Sequence, residues 1–315
     1  MKLSAYKYVL ICLTITCLIS CDKNNDATTV GGPTLDAFIT ANPQLSMFSK
    51  ALDKAGLESF KTGPGPFTWF APTNDAFAAA GVTEDSLNKL TPGQVNFLML
   101  YHLVNASLNS KLLIAVNSAP RATQIGSANP IYFGSVNGNT YINGSKIGSR
   151  DNVVSNGYIH IMDRLLVPPV LRGNIQSILT ATRQHALFIQ ALTKAGLWTN
   201  LGTAAVSTVF APTDAAMTAA GYTATSIAAT TSGTALTALT TAMKYHYILN
   251  VRLFTNDLLR TSLPSTAAGS GFYLTPSDNG TKIKGKNNAS AISITKPDIL
   301  GTNGVVHIID AVLKP

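Results

Sequence analysis

The sequence predicts an α+β fold that occurs twice along the chain. The stretch "TWFAPTNDAF" (Thr68–Phe77) returns 140 residues later as "TVFAPTDAAM" (Thr208–Met217). In each copy, patterns with helical spacing come first, and short β-rich runs broken by Gly and Asn come second. Helices and strands that are segregated in this way indicate α+β domains.

Three further pairs of segments keep the same order in both copies. They are "FSKALDKAGL" (Phe48–Leu57) with "FIQALTKAGL" (Phe188–Leu197), Tyr101-His102 with Tyr245-His246, and "NGYIHIMDRLLVP" (Asn156–Pro168) with "NGVVHIIDAVLKP" (Asn303–Pro315). A repeat of this length indicates a duplicated domain, since solenoid repeats have periods of roughly 20–50 residues. We place the domains at residues 34–168 and 169–315.

The helices of the first copy are predicted from apolar spacing and from stop signals. Leu45, Phe48 and Leu52 recur on one helix face, and Gly56 ends that helix. Pro92 suits the first turn of a later, largely apolar helix. The strands follow from β-rich runs and turn residues. "FTWFAP" is a strand that ends at Pro72, and Thr73 caps the next helix. The Asn-Gly pairs at 137–138 and 143–144 predict hairpin turns.

The first 33 residues are predicted to be an export signal followed by a lipid anchor and a tether. Residues 1–20 have a cationic start and an apolar run too short to span a bilayer of roughly 30 Å. Leu18-Ile19-Ser20-Cys21 resembles a bacterial lipobox, with Cys21 as the lipidated residue. A simple secretory signal with an incidental cysteine is the alternative. The polar residues of 21–33 form a tether with a reach of about 20 Å.

Composition excludes several classes of function. Apolar residues make up 46% of the chain and charged residues 12%, with a net charge of +8. Without Lys2 and Lys7, which lie in the predicted signal, the charge is 21 − 15 = +6. The chain has no dense basic run and no phosphate-binding glycine motif, so we expect neither nucleic acid nor nucleotide as a partner. The location follows from the anchor: the cell envelope, most simply the outer membrane, on its periplasmic face or at the cell surface.

The repeated motifs together resemble the fasciclin domain. "TVFAPTDAAM", the Tyr-His pair after an apolar helix, and "NGVVHIIDAVLKP" at the domain end carry the resemblance, which covers 34–168 and 169–315. It implies two β-sandwich-like wedges, each flanked by several short helices. It also implies adhesion or extracellular binding in tandem domains and no catalysis, so we expect no enzyme activity and no cofactor.

The motif residues have structural explanations that compete with functional ones. Asp75 of the first copy is Ala215 in the second, and Phe77 is Met217, which favours packing over chemistry. The five histidines lack metal-binding spacing. Period-two alternation places His160 and His307 on apolar faces, where we expect half-buried histidines with hydrogen-bond partners.

The resemblance also implies an interaction edge. In animal relatives the Tyr-His pair and a Lys-Pro-Asp-Ile segment are linked to integrin-mediated adhesion. The candidate interaction residues are therefore Tyr101, His102, Tyr245, His246, Asp298 and Ile299. The second copy carries "KPDIL" (296–300), where the first has "RDNVV" (150–154). The alternative is that Tyr and His complete a buried polar contact at a helix end.

The function predicted from these observations is a membrane-anchored, non-catalytic interaction protein of the cell envelope with an unidentified protein or polysaccharide partner. The alternative is a glycan-binding accessory lipoprotein of an outer-membrane uptake system. Its candidate sugar-stacking residues are Trp198, Tyr222, Tyr247 and Tyr273.

Overall fold

The computed structural model describes residues 31–115, 120–203, 206–259 and 263–315. The predicted signal, Cys21 and most of the tether lie outside these residues.

The first domain has seven α-helices and seven strands within the described residues. The helices are α1 (Leu35–Thr40), α2 (Ser46–Lys54), α3 (Glu58–Thr62), α4 (Asn74–Ala79), α5 (Glu84–Lys89), α6 (Pro92–Leu100) and α7 (Ser110–Ala115), with a 3-10 turn at Pro43–Leu45. The strands are β1 (Phe67–Pro72), β2 (Leu103–Val104), β3 (Pro120–Thr123), β4 (Gly126–Val136), β5 (Asn139–Ile142), β6 (Ser145–Val154) and β7 (Gly157–Met162).

The second domain repeats this order. Its helices are α8 (Pro169–Arg172), α9 (Ile175–Ala181), α10 (Ala186–Lys194), α11 (Trp198–Thr203), α12 (Asp214–Ala219), α13 (Ala224–Ala229) and α14 (Gly233–Lys244), with 3-10 turns at Asp257–Leu259 and Asp278–Gly280. Its strands are β8 (Ser207–Pro212), β9 (Tyr247–Leu249), β10 (Thr275–Ser277), β11 (Lys282–Lys284), β12 (Ile292–Gly301) and β13 (Gly304–Ile309).

Each domain is built on one sheet that contains a parallel pair next to an edge strand. The strand orders are β2-β1-β7-β6-β5-β4-β3 and β10-β11-β12-β13-β8-β9. β1 pairs in parallel with β7, and β8 pairs in parallel with β13; the neighbouring pairs are antiparallel. The predicted α+β class is confirmed, and both Asn-Gly pairs form tight turns with positive φ at all four residues.

The sheet separates two cores because its side chains alternate. In β1, Trp69 and Ala71 face a helix-side core, whereas Phe70 faces a second core formed mainly by strand residues, with Leu113 of α7. In the second domain Val209 and Phe210 divide in the same way between two cores. The sheet therefore curls around its second core, and helices cover the first.

The repeated "APT" motif connects strand to helix. Thr73 and Thr213 each accept a hydrogen bond from the third helical backbone N–H, as an N-cap does. The side chain of Asn74 accepts from the Met47 N–H at 2.9 Å, and its counterpart Asp214 accepts from the Leu187 N–H at 2.7 Å. Asn and Asp share this acceptor oxygen, whereas the Asn74 amide also donates to the Pro43 carbonyl at 3.0 Å, a bond that Asp214 cannot make.

The domains contact each other through a charge pair and an aromatic cluster. Arg164 Nη1 lies 2.9 Å from Asp298 Oδ2. Tyr132 of the first domain packs on Phe254 of the second, with ring centroids 5.9 Å apart. The guanidinium of Arg252 lies 5.1 Å from the Tyr132 ring centroid, which is within cation–π range.

Candidate functional site

The Tyr-His pairs are buried where α6 and α14 end. His102 is fully buried; its Nδ1 lies 2.9 Å from the Leu98 carbonyl, and its Nε2 lies 3.0 Å from the Leu166 N–H. Because a carbonyl only accepts and an amide N–H only donates, Nδ1 carries the proton and Nε2 is the acceptor. The imidazole is therefore neutral and joins the helix end to the segment after β7.

His246 makes the same two contacts in the second domain. Its Nδ1 donates to the Ala242 carbonyl at 2.8 Å, and its Nε2 accepts from the Leu313 N–H at 3.0 Å. Burial lowers the pKa of both His102 and His246 to about 4, because desolvation penalises the charged ring more than the carbonyl stabilises it. Both histidines remain neutral at physiological pH.

The two tyrosines have buried rings whose hydroxyls complete polar networks. Tyr101 donates to the Pro130 carbonyl at 3.0 Å and accepts from the Asn143 amide at 3.1 Å. Tyr245 donates to the Tyr273 carbonyl at 2.7 Å and accepts from the Lys286 N–H at 2.9 Å. The side chains of both Tyr-His pairs thus belong to the interior, where they connect helix to sheet.

His160 and His307 form a second equivalent pair and have the opposite tautomer. Nε2 of each ring donates at 2.8 Å to a carbonyl, that of Leu108 or of Leu253. Nδ1 accepts at 3.2 Å from the N–H of Asp151 or of Asp298. Both rings are fully buried rather than half-buried as we expected, because each also stacks on a strand aromatic, Phe70 or Phe210.

Asp298 of the "KPDIL" segment corresponds to Asp151 of the first domain. Aligning "KPDIL" with "RDNVV" residue by residue does not show this correspondence. Strand pairing shifts at 149–152 in β6 and at 296–299 in β12, which produces a bulge in each strand. Asp151 and Asp298 occupy these bulges with φ of 61° and 60°. A left-handed aspartate at a bulge redirects its side chain from the ladder; the spacing of 147 residues was the available sequence signal.

Each bulge carboxylate binds the residue that opens a helical turn. Asp151 accepts from the Ser110 N–H and hydroxyl, both at 2.5 Å. Asp298 accepts from the Thr255 N–H at 2.7 Å and from the Thr255 hydroxyl at 2.8 Å. Ile299 is buried in the helix-side core. Within this segment, only Lys296 is exposed and Pro297 half-buried, so Asp298 and Ile299 do not present side chains to solvent.

The four candidate sugar-stacking residues do not form one surface. Trp198 and Tyr222 are half-buried and pack against the helix-side core, and Tyr247 is buried within it. Tyr273 is 52% exposed in the segment that precedes β10. Only Tyr222 lines one of the described clefts, a groove between α13 and α14.

A cleft of about 300 Å³ between the domains is a feature that the sequence did not indicate. Its walls are α4 and the 163–167 segment of the first domain, Arg172 of α8, and 296–300 of β12. Three cations line it, Arg164, Arg172 and Lys296, together with two acids, Asp163 and Asp298. The second domain has the equivalent surface, at Ala216, Ala219 and Val312.

Within the described residues, no group of three or more His, Cys, Asp or Glu side chains is placed to hold a metal ion. No helix in the described part of the chain has the length and apolar character needed to cross a bilayer.

A comparison with known protein families matches the fasciclin domain twice, at residues 43–168 and 183–315. Among individual proteins, Protein sll1483 of Synechocystis is 32% identical over 148 residues, which is 46% of this chain and 79% of that protein. Pig transforming growth factor-beta-induced protein ig-h3 is 28% identical over 88% of this chain, and human periostin is 25% identical over 84%. The matched regions are 37% and 30% of those two longer proteins.

Among solved structures, a FAS1 domain pair from the insect cell adhesion molecule fasciclin I matches with a TM-score of 0.40 and 17% identity, over 87% of this chain and 98% of that one. Fasciclin domains occur in adhesion and extracellular-matrix proteins, and this membership supports a non-catalytic, adhesion-type role. The duplicated motifs, the paired sheets and the family match lead to one conclusion: the chain belongs to the fasciclin-domain family and carries two such domains.

Proposed function

We propose that the protein is a lipid-anchored, non-catalytic interaction protein of the cell envelope that presents two fasciclin domains for adhesion or extracellular binding. The observation that carries this proposal is the double family match, which accounts for both halves of the chain. The export and lipobox pattern of residues 1–21 supports the anchor. A lipid of this kind holds a protein at the membrane without a spanning helix.

Burial of the Tyr-His pairs limits which residues a binding partner can contact. Their side chains are fully buried, so contact falls to residues that reach the surface. In the second-domain segment that residue is Lys296, which carries a charge at the mouth of the interdomain cleft. Charged groups at a rim affect association rate and specificity more than total affinity.

The adhesion role is tested with cells that display the full-length protein, presented to matrix proteins, polysaccharides and cells of the same kind. We expect binding that Lys296→Glu weakens and that Lys111→Glu, a matched charge reversal at an exposed site of α7, leaves unchanged. Equal binding by cells with and without the protein would contradict the proposal.

The anchor is tested by Cys21→Ala. We expect the unsubstituted protein to incorporate labelled palmitate and to sediment with membranes, and the variant to lose both properties. A variant that is processed and membrane-bound like its parent would disprove lipidation at Cys21.

A glycan-binding accessory role is the second candidate. It is favoured by the exposed ring of Tyr273, because an exposed aromatic face is suited to stacking on a sugar. Loss of polysaccharide binding in Tyr273→Ala, with retention in Trp198→Ala, would assign stacking to that loop.

A further inference from the structure

The chain enters both domains beside the same strand end. In the first domain the Pro33 carbonyl accepts from the N–H of Ser155, the residue that follows β6, at 2.8 Å. In the second domain the Gly173 carbonyl accepts from the N–H of Thr302, the residue that follows β12, at 2.9 Å. The incoming segment therefore lies against the strand that carries the bulge aspartate in each domain.

In the second domain, the face beside this entry is covered by the first domain. Asp298 at the β12 bulge is bound by Arg164, and its oxygens also hold Thr255 at 2.7 and 2.8 Å. Phe254, the residue before Thr255, packs on Tyr132 of the first domain. The structure that covers this face is thus the part of the chain that precedes the domain.

The corresponding face of the first domain lacks the aromatic contact. Asp151 holds Ser110 as Asp298 holds Thr255, so the residue before Ser110, Asn109, is the counterpart of Phe254. Asparagine does not provide the large apolar ring that such a contact requires. The face of the first domain is therefore not a copy of the surface with which the second domain docks on the first.

This face of the first domain is apolar and cationic. Leu112 and Ile114 of α7 are 48% and 39% exposed, whereas Leu113 between them is buried in the second core. Lys111 and Arg150 are exposed beside them. Arg150 Nη1 donates at 3.0 Å to a carbonyl in the turn between β4 and β5, and α7 lies against the same two strands. Exposed aliphatic side chains next to cations are suited to the surface of an anionic bilayer.

The predicted lipid anchor is attached near this face. Gly31 is ten residues after Cys21, and a tether of this length reaches about 20 Å. A domain of about 135 residues is roughly 35 Å across. The chain enters beside the bulged strand, where a Cβ at Gly32 would lie 2.8 Å from the Val153 carbonyl oxygen. The lipid is therefore held nearer to this face than to the opposite side of the domain.

We propose that the first domain lies with α7 and the β6 bulge against the membrane that carries its lipid, with Leu112 and Ile114 in the headgroup region. Lys111 and Arg150 then lie at anionic headgroups. The membrane thereby covers the first domain where the first domain covers the second. This inference deepens the proposed function and rests on its lipid anchor. It also directs Lys111 away from an external partner, in keeping with its use as the control in the adhesion assay.

The test uses the lipidated protein in vesicles of phosphatidylethanolamine and phosphatidylglycerol that include lipids with a nitroxide on the headgroup. All three cysteines of the chain lie within residues 1–21, so Leu112→Cys adds a single thiol for a fluorophore after Cys21. Leu249→Cys, at a leucine of β9 that is 43% exposed, is the matched control. We expect the nitroxide to quench the label at 112 and not the label at 249.

The anchor and the membrane-facing surface fail in different ways in this experiment. Equal quenching at both labels, in protein that floats with the vesicles, would overturn the surface and leave the anchor standing. Protein that does not float with the vesicles would refute the anchor and the inference with it. A blue shift of the label at 112 that depends on protein concentration in detergent alone would assign the face to a second copy and overturn the proposal.

Two charge reversals localise the contact. Lys111→Glu should lower the ratio of quenched to unquenched label at 112 about fivefold or more, since a cation near an anionic surface contributes about 1 kcal/mol. Lys89→Glu, on α5, is the control and should leave the ratio unchanged, because α5 packs on the helix-side core at the other face of the sheet. Equal losses in both variants, or none in Lys111→Glu, would reject the contact.

Discussion

Asp151 and Asp298 hold equivalent places in their domains, but only Asp298 is also bound by an arginine. Both lie at strand bulges with left-handed φ, and both bind a Ser or Thr that opens a helical turn. Arg164 then reaches Asp298 across the domain boundary at 2.9 Å, whereas the second-domain residue equivalent to Arg164 is Ala311. The bulge aspartate therefore stabilises only its own domain at Asp151, whereas at Asp298 it also connects the two domains.

A double-mutant cycle measures that contact. Asp298→Asn should cost about 3 kcal/mol of unfolding free energy, because it disrupts a buried, paired carboxylate. Combined with Arg164→Met, the two effects should be non-additive by about 1 kcal/mol. Asp151→Asn with Arg164→Met is the control and should be additive to within about 0.5 kcal/mol. Urea unfolding measures the free energy of unfolding of each variant. Additive effects of Asp298→Asn and Arg164→Met would show that Arg164 does not stabilise the Asp298 carboxylate.

Two glycines in matching turns test the close approach of the domains. Gly138 and Gly144 have φ of 74° and 79°, so alanine strains either turn, by about 1–2 kcal/mol. A Cβ at Gly138 meets nothing within 4 Å, whereas one at Gly144 would lie 2.3 Å from the Asp298 carboxyl carbon. We expect Gly144→Ala, and not Gly138→Ala, to enlarge the radius of gyration in X-ray scattering. If both variants have the same radius of gyration, the alanine at position 144 strains only its own turn and does not displace the second domain.

The buried histidines predict a loss of stability in mild acid. The folded-state pKa of His102 and His246 is about 4, below the ordinary 6.5. The unfolded chain therefore binds protons first, so their contribution is complete above pH 6.5 and disappears as the pH falls to about 4. Each contributes roughly 3 kcal/mol across that window. Urea titrations at pH 7.5, 6.5 and 5.5 should show falling stability, with a smaller slope in His246→Gln; an unchanged slope in that variant would contradict the assignment.

The differences between the motif copies predict which positions bear on stability. Asp75 is exposed, and Asp75→Ala should change the free energy of unfolding by no more than about 0.5 kcal/mol. Phe77 is fully buried, and Phe77→Ala should cost about 3–5 kcal/mol. Thermal unfolding distinguishes them. A large loss at Asp75 would mean that its carboxylate has a role that the packing does not show.

Much of the fold could be predicted from local patterns. The caps at Thr73 and Thr213, the start of α6 at Pro92 and both Asn-Gly turns are signals that act within a few residues, and the structure confirms each of them. The parallel pairing of β1 with β7 joins residues about 90 apart and has no such local signal.

The candidate site was less predictable for the same reason. Period-two alternation placed His307 on an apolar face, but its full burial depends on Phe210 and on the Leu253 carbonyl, which are distant in sequence. The cleft around Arg172 depends on how one domain docks on the other. That docking cannot be predicted from the identity or the spacing of Arg164, Arg172 and Lys296.

The junction at Pro168-Pro169 has a mechanical consequence. Proline rings fix φ at both residues, and α8 begins at Pro169 with no spacer. A force applied to the second domain is therefore transmitted to the first through a stiff junction. Contacts of Arg164 and Tyr132 with the second domain stabilise this junction. The two domains therefore turn together as one lever, and a load on the second domain is borne by the first instead of being absorbed by bending at the junction.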